Sequence, residues 1–345
     1  MGIKGLPQFF KQYLSDLSVP ITESDVLRSR IAIDTGVFMH RFTINMHYPE
    51  EYVARFLQFA LMLQNLGADF VFVFDGKPCP AKGNTLRFRR EKRARGLLVL
   101  QEKIQVLERS EVEVYTQILN TAPQALSTIT ELLDQLDQLR RRRLVLLSRT
   151  IPVNRSFFYR LQEVFGRKHI PFFEADCEAE KACAWLAQNG HVDLVVTEDY
   201  DALVCGAPHV LRYWHHHDRF CTPTVVSLQS VLTRLSLTYE QFVNVCVLAG
   251  SDFAQSPAYL GFRKALSFVS EKSSTTSIGD VFDSHYLRYY ESPETAQVAR
   301  ESFLFAREVF TSTHFPFFRN LLSLLFCVTV SMLLGIFRRQ ATRRQ

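Results

Sequence analysis

The sequence predicts an α/β protein built on a mostly parallel central sheet flanked by helices. Short apolar runs rich in β-branched and aromatic residues alternate with segments of helical periodicity. The first four of those runs each end in acid. Forty-seven per cent of the 345 residues are hydrophobic, enough for a large buried core. That composition excludes a disordered or low-complexity chain.

Arg30 to Ile33, Phe70 to Phe74, His169 to Phe173 and Asp193 to Val196 read as buried strands, and His209 to Trp214 is a fifth apolar run. Helical patterns such as Tyr52 to Leu66 and Ala179 to Gln188 separate the strands, as parallel pairing requires. Roughly residues 80 to 165 form a long excursion between the second and third strands. A connection of that length needs structure of its own, so a helical insertion is expected, with a helix over Ala125 to Leu139. Within it, Arg140 to Arg143 reads as a helix end facing solvent or DNA. Beyond residue 250 the pattern is helical again, with a polar break at Lys272 to Ser277.

The formal charge of +5 is an average over segregated charge. Lys82 to Arg95 holds seven Lys or Arg against one acid, Glu91, while Arg140 to Arg143 and Arg338 to Arg344 add four positive charges each. The rest of the chain is therefore acidic, at −9. Seven scattered cysteines without a C-x-x-C argue against a disulfide framework and for a reducing compartment. The first residues carry no secretory signal, and Leu6 stands where a myristoylation site needs Ser or Thr.

The four strand ends carry the chemistry. They run into Asp34, into Asp75, into Glu174-Ala175-Asp176-Cys177-Glu178-Ala179-Glu180, and into Glu198-Asp199-Tyr200-Asp201. One Asp after a strand is ordinarily a turn residue or helix cap. Four strands doing the same points to one rim, because ligands of open parallel sheets bind beyond the strands' carboxyl ends. Crowded carboxylates repel unless cations sit among them. Hard divalent ions, Mg²⁺ or Mn²⁺, suit such a site, and two of them about 3.5–4 Å apart would flank a phosphodiester and promote its hydrolysis. Glu178 and Glu180 do not share a helix face, so both reach a metal only where strand becomes helix.

With these residues in hand, the sequence resembles the flap endonuclease and XPG-type family of structure-specific 5′ nucleases. The matching segments are Met1-Gly2-Ile3-Lys4-Gly5-Leu6, Ile33-Asp34, Phe74-Asp75-Gly76-Lys77-Pro78, Glu178-Ala179-Glu180, Thr197-Glu198-Asp199-Tyr200-Asp201 and Gly250-Ser251-Asp252. The resemblance implies a PIN-like nuclease domain over 1–265. Its parts would be an N-terminal region (1–100), a helical arch (about 80–165) and an internal region (about 166–265), followed by a helical region over 266–345. It further implies that Asp34, Asp75, Glu178 and Glu180 hold a first Mg²⁺, and that Asp199, Asp201 and Asp252 hold a second. Lys82 and Arg89 would steer the scissile phosphate. Gly2, His40, Lys82, Arg87, Arg89, Arg90, Lys92, Arg93, Gly250, Gly261, Arg263 and Lys264 would contact nucleic acid. Asp252 has no bottom-up signal and comes from the resemblance alone.

Several features depart from the family pattern. Asp75 and Glu178 are 103 residues apart, which implies an enlarged arch. His40 stands where a base-stacking Tyr is common, and Tyr259 replaces one of two glycines in the duplex-binding segment Ser256 to Lys264, which predicts a weaker duplex grip. No sliding-clamp motif stands near the C-terminus. His215-His216-His217 reads as a surface loop or nucleic-acid contact. Leu321 to Phe337 is seventeen uncharged residues ahead of an Arg-rich end; it fits either a helix packed on the core or a short membrane anchor. The function expected is hydrolysis of branched or 5′-flap DNA in repair, replication or recombination, in a nucleus or at a viral replication site. An RNA endonuclease of the same fold and a non-catalytic DNA-junction scaffold are the alternatives.

Overall fold

The computed structural model describes residues 2–43, 46, 50–79, 82–151, 153–176, 178–214, 222–254, 256, 260–270 and 293–312. His215 to His217, Tyr259, the polar break at Lys272 to Ser277 and the apolar stretch Leu321 to Phe337 lie outside them. Among the described residues no helix is long and apolar enough to cross a membrane. The chain forms two compact units. One comprises Met1–Phe38, Phe59–Lys82 and Gln162–Gln345, and the other Met39–Gln58 and Gly83–Leu161.

A seven-stranded sheet organises the first unit. Its strands are β1 (Ser18–Pro20), β2 (Arg30–Asp34), β3 (Asp69–Phe74), β4 (Phe172–Glu174), β5 (Leu194–Val196), β6 (His209–Arg212) and β7 (Thr224–Ser227), in the order β1-β7-β6-β5-β2-β3-β4. The five strands from β6 to β4 pair in parallel, and β7 and β1 add an antiparallel edge. Both faces are covered, so the strands alternate between two cores. Ala32, Val71, Val73, Val195 and Val210 join one core with the helix Ala179–Gln188 and the helix Tyr239–Ala249, which is buried from Phe242 onward. On β3, Phe72 and Phe74 pack with Phe165, Phe172 and Phe59, and Phe59 meets Trp214 edge-on.

The expected third strand starts three residues late. His169 takes a left-handed conformation (φ 54°) in the turn after the helix Arg155–Arg167, and the chain becomes regular only after Pro171. No strand is expected from the sequence at the three-residue edge strand β1, nor at the four-residue β7, which pairs between β1 and β6. The helix Pro293–Thr311 packs on the same core through Phe303, Ala306 and Phe310, and Arg307 donates to Asn244 Oδ1 and Glu240 Oε2.

The second unit contains the long helices Gly83–Asn120 and Leu126–Thr150, which pack as a hairpin with Ile104, Val114 and Leu136 buried. The expected helix end at Arg140 to Arg143 is instead mid-helix, because Leu144-Val145-Leu146-Leu147 continues the helix through Thr150. Arg143 pairs with Glu111 on the facing helix at 2.6 Å, and Arg141 pairs with Asp137 one turn back.

Candidate active site

The parallel strands all end on one rim, and their carboxylates meet there. Asp34, the last residue of β2, is 2% exposed, because Thr197 at the end of β5 donates to its Oδ2 at 2.9 Å and the Gly36 N–H to its Oδ1 at 3.0 Å. A Cβ on Gly36 would lie 2.9 Å from Asp75 Oδ2 and 3.4 Å from Asp34 Oδ1, so the two carboxylates close on this glycine from either side. Gly76 is equally constrained: a Cβ there would stand 1.8 Å from the Ala175 carbonyl oxygen, where the chain leaving β4 crosses behind Asp75. Neither role is visible in the sequence beyond the Asp-Gly pairing at the end of β3.

Glu178 and Glu180 meet the condition set by their spacing. Glu178 is the extended N-cap residue of the helix Ala179–Gln188 (φ −94°, ψ 133°) and Glu180 lies in its first turn. The first free N–H of that helix, on Ala179, donates 2.8 Å to Asp75 Oδ1, so an acid from β3 caps a helix that follows β4. Carboxylate oxygens of Asp75, Glu178 and Glu180 lie within 4.8 Å of one another. Asp75 remains open to solvent at the mouth of this cluster while protein atoms surround its base.

Asp199 and Asp201 follow β5. Asp199 Oδ1 accepts from the Asp201 N–H at 3.2 Å, and Asp201 Oδ1 accepts from the Ile3 N–H at 3.0 Å. Gly2, at φ 90°, lets the N-terminal segment lie against that carboxylate, where a Cβ would come within 2.2 Å. The Lys4 N–H donates to the Gly250 carbonyl oxygen at 2.8 Å, which ties the same segment to the turn carrying Asp252. Gly250 therefore serves the site through its backbone.

Lys82 is buried among these acids rather than presented to solvent. Its Nζ lies 2.5 Å from Glu178 Oε2 and 3.6 Å from Asp252 Oδ2, and 5.0 Å from the centre of the Phe253 ring. Burial alone would lower its pKa, but Glu178, Glu180 and Asp252 raise it above the usual lysine value, so it stays charged. The acids also shift upward, which for them favours the neutral form. Burial first, then Asp75, raises Asp34 to about 7. Burial followed by Asp34 and Asp75 raises Glu180 well above its ordinary value, and burial followed by Asp199 raises Asp201.

This all-oxygen donor set fits a hard divalent cation, and the raised carboxyls show how much negative charge one would relieve. A pH dependence follows. Acids whose folded pKa exceeds the unfolded value hold protons that the unfolded chain releases, so their contribution is full below about pH 4 and is lost as pH rises through about 7. In chelator, the melting temperature is expected to fall between about pH 5 and about pH 8, and excess Mg²⁺ should abolish that fall. A melting temperature that rises over this range in chelator contradicts the assignment.

The remaining expected contacts are distributed over both units. Arg87, Arg89, Arg90, Lys92 and Arg93 lie on the helix Gly83–Asn120, all exposed except the half-buried Arg89; Arg93 donates to the Ile151 carbonyl oxygen at 3.1 Å. His40 is exposed in the last turn of the helix Thr35–Phe42. Arg263 and Lys264 are exposed on the helix Phe262–Ser270, Arg263 over the Tyr13 ring, and a Cβ on the exposed Gly261 would meet open space.

Residues 1–96 match the XPG N-terminal domain and residues 169–252 the XPG I-region, together just over half of the chain. The chain belongs to the XPG family. This XPG-family chain is 25% identical over 331 residues to flap endonuclease 1 of Plasmodium falciparum, a match covering 88% of the chain and 46% of that relative. It therefore spans under half of that protein's length. It is 27% identical over 311 residues to flap endonuclease 1-A of Xenopus laevis, covering 85% of the chain and 71% of the relative. Among solved structures, the catalytic core of Rad2 in complex with DNA substrate shares the fold with a TM-score of 0.57 at 17% identity, over 97% of this chain and 95% of that one.

Proposed function

We propose that the chain is a divalent-metal-dependent, structure-specific 5′ nuclease that hydrolyses phosphodiesters in branched or 5′-flap DNA. The observation that carries this reading is the meeting of the Asp75, Glu178 and Glu180 carboxylates, with Glu178 and Asp252 beside the Lys82 ammonium. Relatives named flap endonuclease, and a Rad2 core solved with DNA substrate, support the substrate class.

Asp34, Asp75, Glu178 and Glu180 would hold one Mg²⁺, and Asp199, Asp201 and Asp252 another, with Mn²⁺ able to substitute. Bound there, such ions polarise the phosphodiester and lower the pKa of water. The chain's own residues do the rest. Thr197 and the Gly36 N–H hold Asp34 in place, while Ala179 and Ile3 fix Asp75 and Asp201 by backbone donors. Lys82 keeps a positive charge beside the acids, where it attracts a phosphate and offsets charge that builds on it. Arg89 and its basic neighbours on the helix Gly83–Asn120 supply phosphate contacts that orient the strand. The nuclease domain is assigned to 1–265, and a DNA-bearing compartment such as a nucleus or viral replication site suits the activity.

Labelled 5′-flap DNA, nicked duplex and a matched RNA flap, each incubated with the protein and Mg²⁺, test the reading. Cleavage of the DNA flap near its junction is expected. Cutting confined to RNA would reassign the substrate, and flap binding without cutting by Mg²⁺ or Mn²⁺ would leave a junction-binding scaffold.

A further inference from the structure

Asp199 and Asp201 sit on a stretch that leaves β5 with no regular structure until the short helix Asp201–Val204 begins, and two neighbouring carboxylates tend to push such a stretch open. The Ile3 N–H restrains it from the front. Behind it lies Arg212, the last residue of β6, only 8% exposed. β6 pairs with β5 through Val196 and Leu211, which sets Arg212 beside Thr197, where the stretch starts.

The Arg212 side chain grips both residues that flank Asp199. One guanidinium nitrogen donates to the Glu198 carbonyl oxygen at 2.9 Å, and another bonds the Tyr200 hydroxyl. The guanidinium carbon lies 3.9 Å from the centre of the Tyr200 ring and 4.7 Å from that of Tyr213. Tyr213, held left-handed at φ 59°, donates its N–H to Glu198 Oε1 at 3.0 Å, so the next residue braces the same stretch. A planar fork that stacks and donates in two directions is what arginine provides; lysine keeps the charge but has a single nitrogen.

We infer that Arg212 is a positioning residue for the Asp199/Asp201 pair, a buried cation that fixes the spacing of two acids it serves from behind the loop. This rests on the metal reading proposed above. It goes beyond that reading in assigning cation affinity at one half of the site to a residue that touches neither metal nor substrate. Outer partners of ligating carboxylates are worth about ten- to a hundredfold in affinity or activity.

The test uses the full chain with Mn²⁺ as the probe, titrated by electron paramagnetic resonance, beside flap binding and steady-state cutting. Arg212→Lys is expected to keep its melting temperature, flap affinity and KM for the flap. One class of Mn²⁺ should weaken by about tenfold or more and kcat should fall in parallel, recovering at high Mn²⁺. Tyr200→Phe removes only the hydroxyl that meets Arg212; it should shift the same class in the same direction by a smaller factor, and it decides the matter if the lysine variant does not fold. Parent-like Mn²⁺ binding in Arg212→Lys, or in Tyr200→Phe where that variant decides, overturns the inference. So does a uniform loss of both classes together with the melting temperature. A parent protein that cuts flaps without binding Mn²⁺ would instead overturn the metal reading itself.

Discussion

Asp199→Ala is expected to reduce flap cutting by about a thousandfold or more while flap binding changes little. A carboxylate that holds a cation for the reaction contributes to the transition state, and three decades in rate correspond to roughly 4 kcal/mol. Its carboxylate accepts a local bond from the Asp201 N–H, and its own N–H, which Ala keeps, donates to Thr197 Oγ1, so the substitution leaves the core intact. Single-turnover cleavage and fluorescence anisotropy on the same flap separate the two effects. Full activity in this variant would refute the second cation site.

Lys82→Ala carries the next largest effect, on stability as well as rate. Its ammonium is 2.5 Å from Glu178, and both side chains are largely buried. Removing one partner of such a pair leaves the other charge uncompensated, at a cost of about 3–5 kcal/mol. In chelator the variant should therefore unfold several degrees below the parent. Divalent ions supply an alternative cation, so saturating Mg²⁺ should recover much of that stability while cutting stays impaired. Thermal melts with and without Mg²⁺ check this, and equal melting of variant and parent in chelator would show that the pair contributes nothing.

The parts of the fold legible in the sequence are those where one physical signal dominates. β2, β3 and β5 are short β-branched or aromatic runs between helical segments, and their acids fall at the sheet rim because parallel strands share a direction. Edge strand β1 is three residues with a Pro and no buried position, and β7, β-branched at Thr224 to Val226, is only four residues long with Val226 alone buried, too short to stand out as a run. The late start of β4 depends on a left-handed His169, a conformation its sequence does not announce. Asp252 was illegible for another reason: it follows the buried helix Tyr239–Ala249 rather than a strand, and only the Lys4 to Gly250 hydrogen bond shows why that turn reaches the rim. Arg212 reads as an ordinary strand-end arginine until its partners, twelve and fourteen residues earlier in the chain, are seen around it.

The rim also constrains how the protein can be made. Its acids are spread from Asp34 to Asp252, and β1, at residues 18–20, pairs with β7 at residues 224–226. A chain still emerging from the ribosome thus carries an unpaired first strand until residue 226 has been made, and an incomplete set of carboxylates until residue 252. Contacts this distant in sequence form late. A nascent or prematurely terminated chain that ends before Asp252 cannot assemble the full set of carboxylates, so the rim is complete only once that residue has been made.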